Sequence, residues 1–229
     1  MRNRFERQLK KLQDALIEMG ALTEEAIDNA AAAIISEEEE RAENAIAFDS
    51  EVDQKEKEIE KICLELLLRQ QPVARDLRLI SAALKMITDM ERIGDQAADI
   101  AEIALLKNAQ KVICAREDVA KMAKEAITMV NGCVDAFVKS DLVLANQVIA
   151  MDDVVDNMFN TVREDLISEI KSGKTESHAI LDMLMVAKYL ERIGDHATNI
   201  AEWVVFSITG RHPGDKEGED LDGGEGLLR

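Results

Sequence analysis

One pentapeptide, Glu-Arg-Ile-Gly-Asp, occurs twice in this chain, at Glu91–Asp95 and Glu191–Asp195, and in both copies Ile-Ala-Glu follows at the same distance. Agreement of that length within 229 residues marks an internal duplication. Whatever the chain folds into must therefore be built of two like halves. Composition says of what kind. Apolar residues make up 47% and charged residues 32%, with only 2 Pro and 3% aromatics, the usage of long helices. The expected fold class is all-α.

The periodicity fills this in. From about Arg4 to Ile35, Leu9, Leu12, Leu16, Met19, Ala26, Ala30 and Ala33 recur at steps of three and four, predicting an amphipathic helix. Ser36 is expected to cap the next helix, with Glu39 closing a capping box. That helix runs to about Gln70 through Phe48, Val52, Ile59, Cys63 and Leu66. Pro72 suits the first turn of a third, from Val73 to about Asn108. The second half repeats the plan with Ser140-Asp141 as cap, Val148 to Ile170 as apolar stripe and Ser172-Gly173 as turn. The result is two homologous three-helix bundles, 1–110 and 111–210, made of six long antiparallel helices. The last residues, 211–229, are acidic and Gly-rich with too few apolar groups to fold, and are expected to be a disordered tail.

A net charge of −18 argues against nucleic acid or anionic lipid as a partner, because both require clustered Lys and Arg. Cys63, Cys114 and Cys133 form no CxxC and read as core thiols of a reducing compartment. With no apolar leader and no run of about 18 apolar residues, a cytoplasmic location is expected.

The repeat also concentrates acid. At about 100° per residue, Glu91, Asp95, Asp99 and Glu102 share one helical face, and Glu191, Asp195, Asn199 and Glu202 share its counterpart. In an antiparallel hairpin turning near residue 72, Asp49 comes level with Asp95 and Asp53 with Glu91. A turn near 173 likewise pairs Asp152 with Asp195 and Asp156 with Glu191. Like charges about 4 Å apart cost about 4 kcal/mol at an effective dielectric of about 20, so such clusters need protonation, salt bridges or bound cations. All-oxygen ligands suit iron, manganese, magnesium or calcium. Arg92 and Arg192, about 100° from the adjacent Glu, are expected to serve neighbouring helices or partners, whereas Lys188 and Arg163 lie on the faces of the second cluster. Asn199 replaces Asp99 there and Phe159 replaces Glu56, so the first cluster is expected to bind metal more tightly. Gly94 and Gly194, mid-helix, point to close helix approach or to room for a ligand. His178 and His212 read as isolated, the methionines as core filling, and Trp203 as a residue on the polar side of its helix.

With these residues in view, the chain resembles the PhoU family of phosphate-transport regulators. The likeness rests on the two acidic repeats and on Gln71-Pro72-Val73-Ala74-Arg75-Asp76-Leu77-Arg78. It implies a negative regulator of phosphate uptake and starvation signalling, peripheral to the membrane through its partners, which links the ATPase subunit of the phosphate ABC transporter to a phosphate-sensing histidine kinase. It also implies a homodimer and metal at Asp49, Asp53, Glu91, Asp95 and Asp99 and at Asp152, Asp156, Glu191 and Asp195. Iron is the first expectation, with manganese, magnesium or zinc as alternatives. No nucleophile–base pair, phosphate loop or hydride-cofactor motif is present, so no enzyme is expected. Two rival readings stay open: a metal-free adaptor whose acids bind basic partners, and a di-metal or metal-storage bundle, weakened by the lack of Glu-x-x-His.

Overall fold

The apolar stripes read from the sequence have become the inner faces of helices, with one falling short of its expected end. The structure, a computed structural model, describes residues 2–70, 72–112 and 115–213, so Cys114 and most of the expected tail lie outside the described residues. Helices α1 (Arg2–Ser36), α2 (Glu39–Gln70) and α3 (Arg75–Leu105) form the first half. A 3-10 turn at Ala109–Lys111 leads to α4 (Arg116–Lys139), α5 (Leu142–Ser172) and α6 (Ser177–Thr209). Among the described residues there is no strand.

Hairpin packing brings α2 onto α3 and α5 onto α6, while α3 and α6 pack on each other across the halves. The four helices α2, α3, α6 and α5 thus form one layer. Helices α1 and α4, which also touch each other, back it. The interior is a single continuous apolar core that includes Leu16, Met86, Met90, Phe137 and Leu190. Helices α3 and α6 run antiparallel, with residues level where their numbers sum to about 288: Asn199 lies 3.4 Å from Asp89, and Gly210 sits beside the Arg78 guanidinium. On α3, Gly94 faces α2 and Asp89 faces α6, which leaves Glu91, Asp95 and Asp99 on the sector between them, away from α1. The duplication places the second acidic sector on the same open face of the layer.

Several helix ends differ from expectation. Ser36 is the last residue of α1 and donates its hydroxyl back to Ala32 O at 2.8 Å, so it does not cap α2. The chain turns instead through Glu37 in the left-handed region (φ 65°), and Glu39, the first residue of α2, pairs with Lys107. Helix α3 starts at Arg75, after Ala74 with φ 46°, and Pro72 precedes it rather than lying in its first turn. It ends at Leu105, short of Asn108. The cap of α5 is Asp141, whose side chain accepts from the Val143 and Leu144 amides at 3.0 Å, while Ser140 ends α4 in the left-handed region. The buried stripe of α5 stops at Leu166, and Ile170 is exposed.

Candidate metal centre

The site begins with how closely two helices approach. A Cβ at Gly94 would lie 3.2 Å from Val52 Cγ1, and one at Gly194 would lie 3.3 Å from Val155 Cγ1. Val52 stands between Asp49 and Asp53, and Val155 between Asp152 and Asp156. Each mid-helix glycine therefore lets the paired helix seat its valine against backbone, which brings the flanking carboxylates onto those of the repeat. This settles the role of both glycines as close approach.

In the first half, Asp49 meets Asp95, with Asp53 and Asp99 close by, and Glu91 lies near Asp95, Asp53 and Glu56. In the second, Asp156, Glu191 and Asp195 each offer an oxygen, all within 4.8 Å of one another, and Asp152 adjoins Asp156 and Glu191. All nine acids named from the sequence gather in two groups, in the hairpin register expected. Burial first, then neighbouring carboxylates, hold Asp49, Glu91 and Asp195 above the usual carboxylate range. Glu56 is raised for the same reasons. Asp152 is raised mainly by burial, against a hydrogen bond donated by Thr198 Oγ1 at 3.1 Å.

The counter-charges depart from the sequence reading. Arg92 does not leave the stripe: its Nη1 lies 2.9 Å from Asp95 Oδ2 and its Nε 3.3 Å from Glu91 Oε2. A long guanidinium arm bridges the angle that separates the residues on the helical wheel. Lys188 pairs with Glu191 and lies 5.4 Å over the Phe159 ring, so it joins the second cluster as expected, whereas Arg163 turns to Glu164. Asn199 reaches across to Asp89, which also takes a 2.9 Å contact from His196 Nδ1. Sequence reasoning missed Asp89 and Thr198, since a helical wheel shows a face but not the distant helix that will meet it. Trp203 is half-buried against Phe206 and His212, at 5.6 and 4.4 Å between ring centroids, so neither it nor His212 stands apart.

Two carboxylate oxygens of the first cluster, Asp49 Oδ1 and Glu91 Oε2, are buried and accept no hydrogen bond, although the ion pair with Arg92 Nε at 3.3 Å reaches the second of them. Oxygens in that condition suit a hard cation. The donor set therefore fits iron, manganese or magnesium, and fits zinc less well, because zinc sites usually include nitrogen or sulfur ligands.

The raised carboxylates give a pH dependence with a definite sign. A carboxylate whose folded value exceeds its unfolded value stabilises the fold fully below the unfolded value, about 4, and that stability is lost as pH rises through the folded value. Metal-free protein is expected to melt at a higher temperature at pH 5 than at pH 7.5. Differential scanning calorimetry across that interval checks it, and a lower melting temperature at pH 5 would contradict it.

The PhoU domain family model matches this chain twice, over residues 16–104 and 119–204. A phosphate-specific transport system accessory protein PhoU homolog of Clostridium acetobutylicum is 35% identical over 208 residues, covering 90% of this chain and 95% of that protein. The Pseudomonas aeruginosa homolog of the same description is 33% identical over 214 residues, covering 92% of this chain and 88% of that protein. The crystal structure of PhoU from Pseudomonas aeruginosa superposes with a TM-score of 0.84 at 31% identity, over 90% of this chain and 100% of that one. The structure of the phosphate transport system regulatory protein PhoU from Streptococcus pneumoniae gives 0.83 at 27%, over 91% and 99%. With both halves matched and the whole bundle superposed, the chain belongs to the PhoU family, a regulatory accessory protein of phosphate transport and not an enzyme.

Proposed function

We propose that this chain is a cytoplasmic negative regulator of phosphate uptake and of phosphate-starvation signalling. In this reading it couples the ATPase subunit of a phosphate ABC transporter to a phosphate-sensing histidine kinase, as a homodimer of two-bundle chains divided near residue 110. The observation that carries it is the double match to the PhoU domain together with relatives described as transport-system accessory proteins. Among the described residues no helix is long and apolar enough to cross a membrane, which agrees with attachment through partners.

The two acid clusters are read as metal sites, with iron first and manganese or magnesium next. Asp49, Asp53, Glu91, Asp95 and Asp99 would hold metal in the first, and Asp152, Asp156, Glu191 and Asp195 in the second. Bound cations would supply the positive charge that these carboxylates lack. Their effect would be to hold α2 to α3 and α5 to α6, fixing the open face that partners meet. In support, the carboxylates crowd at helix seams with too few basic side chains to balance them.

The test is retention from membranes. Tagged protein is expected to retain the transporter's ATPase subunit, with retention that differs between high and low phosphate and falls when a chelator is added. If neither transporter nor kinase components are retained under any of these conditions, the regulatory reading loses its ground. Retention that ignores chelator would separate the metal from the partner role.

A further inference from the structure

Each acid cluster has a neutral hydroxyl beside it, and the two hydroxyls come from different places. In the second cluster, Thr198 on α6 donates to Asp152 Oδ1 on α5 at 3.1 Å, within one half of the chain. The first cluster cannot copy this, because Ala98 stands where the duplication would put that threonine. Its hydroxyl belongs to Tyr189, on α6 in the other half, which is directed across the α3/α6 seam at the Asp99 carboxylate, with Glu102 also near.

The duplication accounts for this contact. Across the seam, Asp89 of α3 takes Asn199 Nδ2 at 3.4 Å and His196 Nδ1 at 2.9 Å. Moving each residue by the 100 positions that separate the two pentapeptides exchanges the helices: Tyr189 takes the place of Asp89, Asp99 that of Asn199, and Gln96 that of His196. Asp99 and Tyr189 therefore come level as Asn199 and Asp89 do. The geometry is kept and the chemistry is changed, since the donor is now a phenol on α6 and the carboxylate is one of the acids gathered around Asp49. Asp49 Oδ1 is buried there and accepts no hydrogen bond. Asp99 thus joins the seam to the crowded oxygens.

We propose that Tyr189 is a positioning residue of the first cluster, a side chain of the second half whose hydroxyl donates to Asp99 and holds that carboxylate toward the metal. A carboxylate that ligates a metal is itself held by hydrogen bonds, and loss of such a partner weakens metal binding about 10–100-fold. Arg92 is engaged with Asp95 and Glu91, and Lys57 with Asp53, which leaves the Asp99 side of the cluster to Tyr189. The tyrosine suits this task. Its ring is half-buried against the core, and burial first, then Asp99, raise the phenol above its ordinary range against the pull of Arg192, so it meets the carboxylate with its proton in place. Metal at the first cluster then ties α3 to α6 as well as to α2. The second cluster makes no such link, because its hydroxyl is internal to its own half and Asn199 is turned to Asp89.

This inference rests on the reading of the first cluster as a metal site and adds a residue to it. The probe is Mn²⁺, titrated calorimetrically into the full metal-free chain carrying Asp195→Asn, so that the first cluster is the one read. Adding Tyr189→Phe, which keeps the ring and removes the hydroxyl, is expected to weaken binding about 10–100-fold. Adding Asp89→Asn instead, which alters the counterpart contact on the same seam, is expected to leave it unchanged. Tyr189 is the single tyrosine of the chain, so Mn²⁺ is also expected to give a tyrosine difference band in the near ultraviolet that Tyr189→Phe lacks. That band is read without Tyr189→Phe and stands whether or not the variant folds. The proposal is overturned if folded Tyr189→Phe binds as its parent, if Asp89→Asn loses as much, or if Mn²⁺ binds with no tyrosine band. A tyrosinate-to-iron charge-transfer band in the ferric protein would overturn it as well, by putting the oxygen on the metal. The metal reading fails separately: it falls with this proposal if the parent takes up no metal, and stands if the parent binds Mn²⁺ and only the tyrosine results fail.

Discussion

Adding Mn²⁺ or Fe²⁺ to metal-free protein at pH 7.5 is expected to raise its melting temperature, and Asp95→Asn to lose more of that gain than Asp195→Asn. A ligand bound to the folded state alone, at about a hundred times its Kd, stabilises by about 2.7 kcal/mol. For a chain of this length that is about 5–10 °C. The unequal loss follows from the two clusters. The first gathers six acids, Asp49, Asp53, Glu56, Glu91, Asp95 and Asp99, around the Arg92 guanidinium and Lys57, which lies 3.6 Å from Asp53, and leaves Asp49 Oδ1 and Glu91 Oε2 buried without a hydrogen bond. The second has fewer acids, a lysine already bound to Glu191, and a threonine hydroxyl on Asp152. Calorimetry with and without metal measures the gain, and elemental analysis measures occupancy. Equal occupancy in the two variants would refute the ordering, and no stabilisation by any of iron, manganese or magnesium would remove the metal reading itself.

Gly94→Leu is the substitution expected to damage the first site most without touching a carboxylate. Replacing a mid-helix glycine gains about 1 kcal/mol in helix propensity, which alone would predict a more stable protein. Packing outweighs it. The new Cβ would lie 3.2 Å from Cγ1 and 3.3 Å from Cβ of Val52, a fully buried, β-branched residue with little rotamer freedom to retreat. The remaining atoms of leucine have nowhere to go unless α2 lifts off α3, and overpacking of this kind costs about 1–3 kcal/mol or more. With the cost at the upper part of that range, a net loss of about 1–2 kcal/mol, or about 2–8 °C, is expected, together with weaker metal uptake at the first cluster and unchanged uptake at the second. Wild-type melting and metal content in Gly94→Leu would show that the close approach of α2 and α3 is not what assembles the site.

Much of this molecule is legible in its amino-acid order. Apolar spacing places the helices, because a side chain recurring every three to four residues has only one face to bury. The duplication places the acids, and each short hairpin sets their register, since two helices joined by a tight turn must run level from that turn outward. Those constraints are local, and they bring all nine carboxylates into two groups.

Tertiary structure decided what joins segments that no short turn connects. Arg92 looks outward on a helical wheel, yet its arm reaches Asp95 because unbalanced charge lies within its length. Asn199 looks like a weakened ligand, yet it serves the seam between halves with His196 and Asp89, about a hundred residues away in sequence. Gly94 and Gly194 come level across that seam, but each makes room for a valine in its own hairpin. Periodicity assigns a residue to a face, whereas only the packing of α3 on α6 determines which partner that face receives, because the energy that selects the pairing comes from buried area and charge distributed over whole helices.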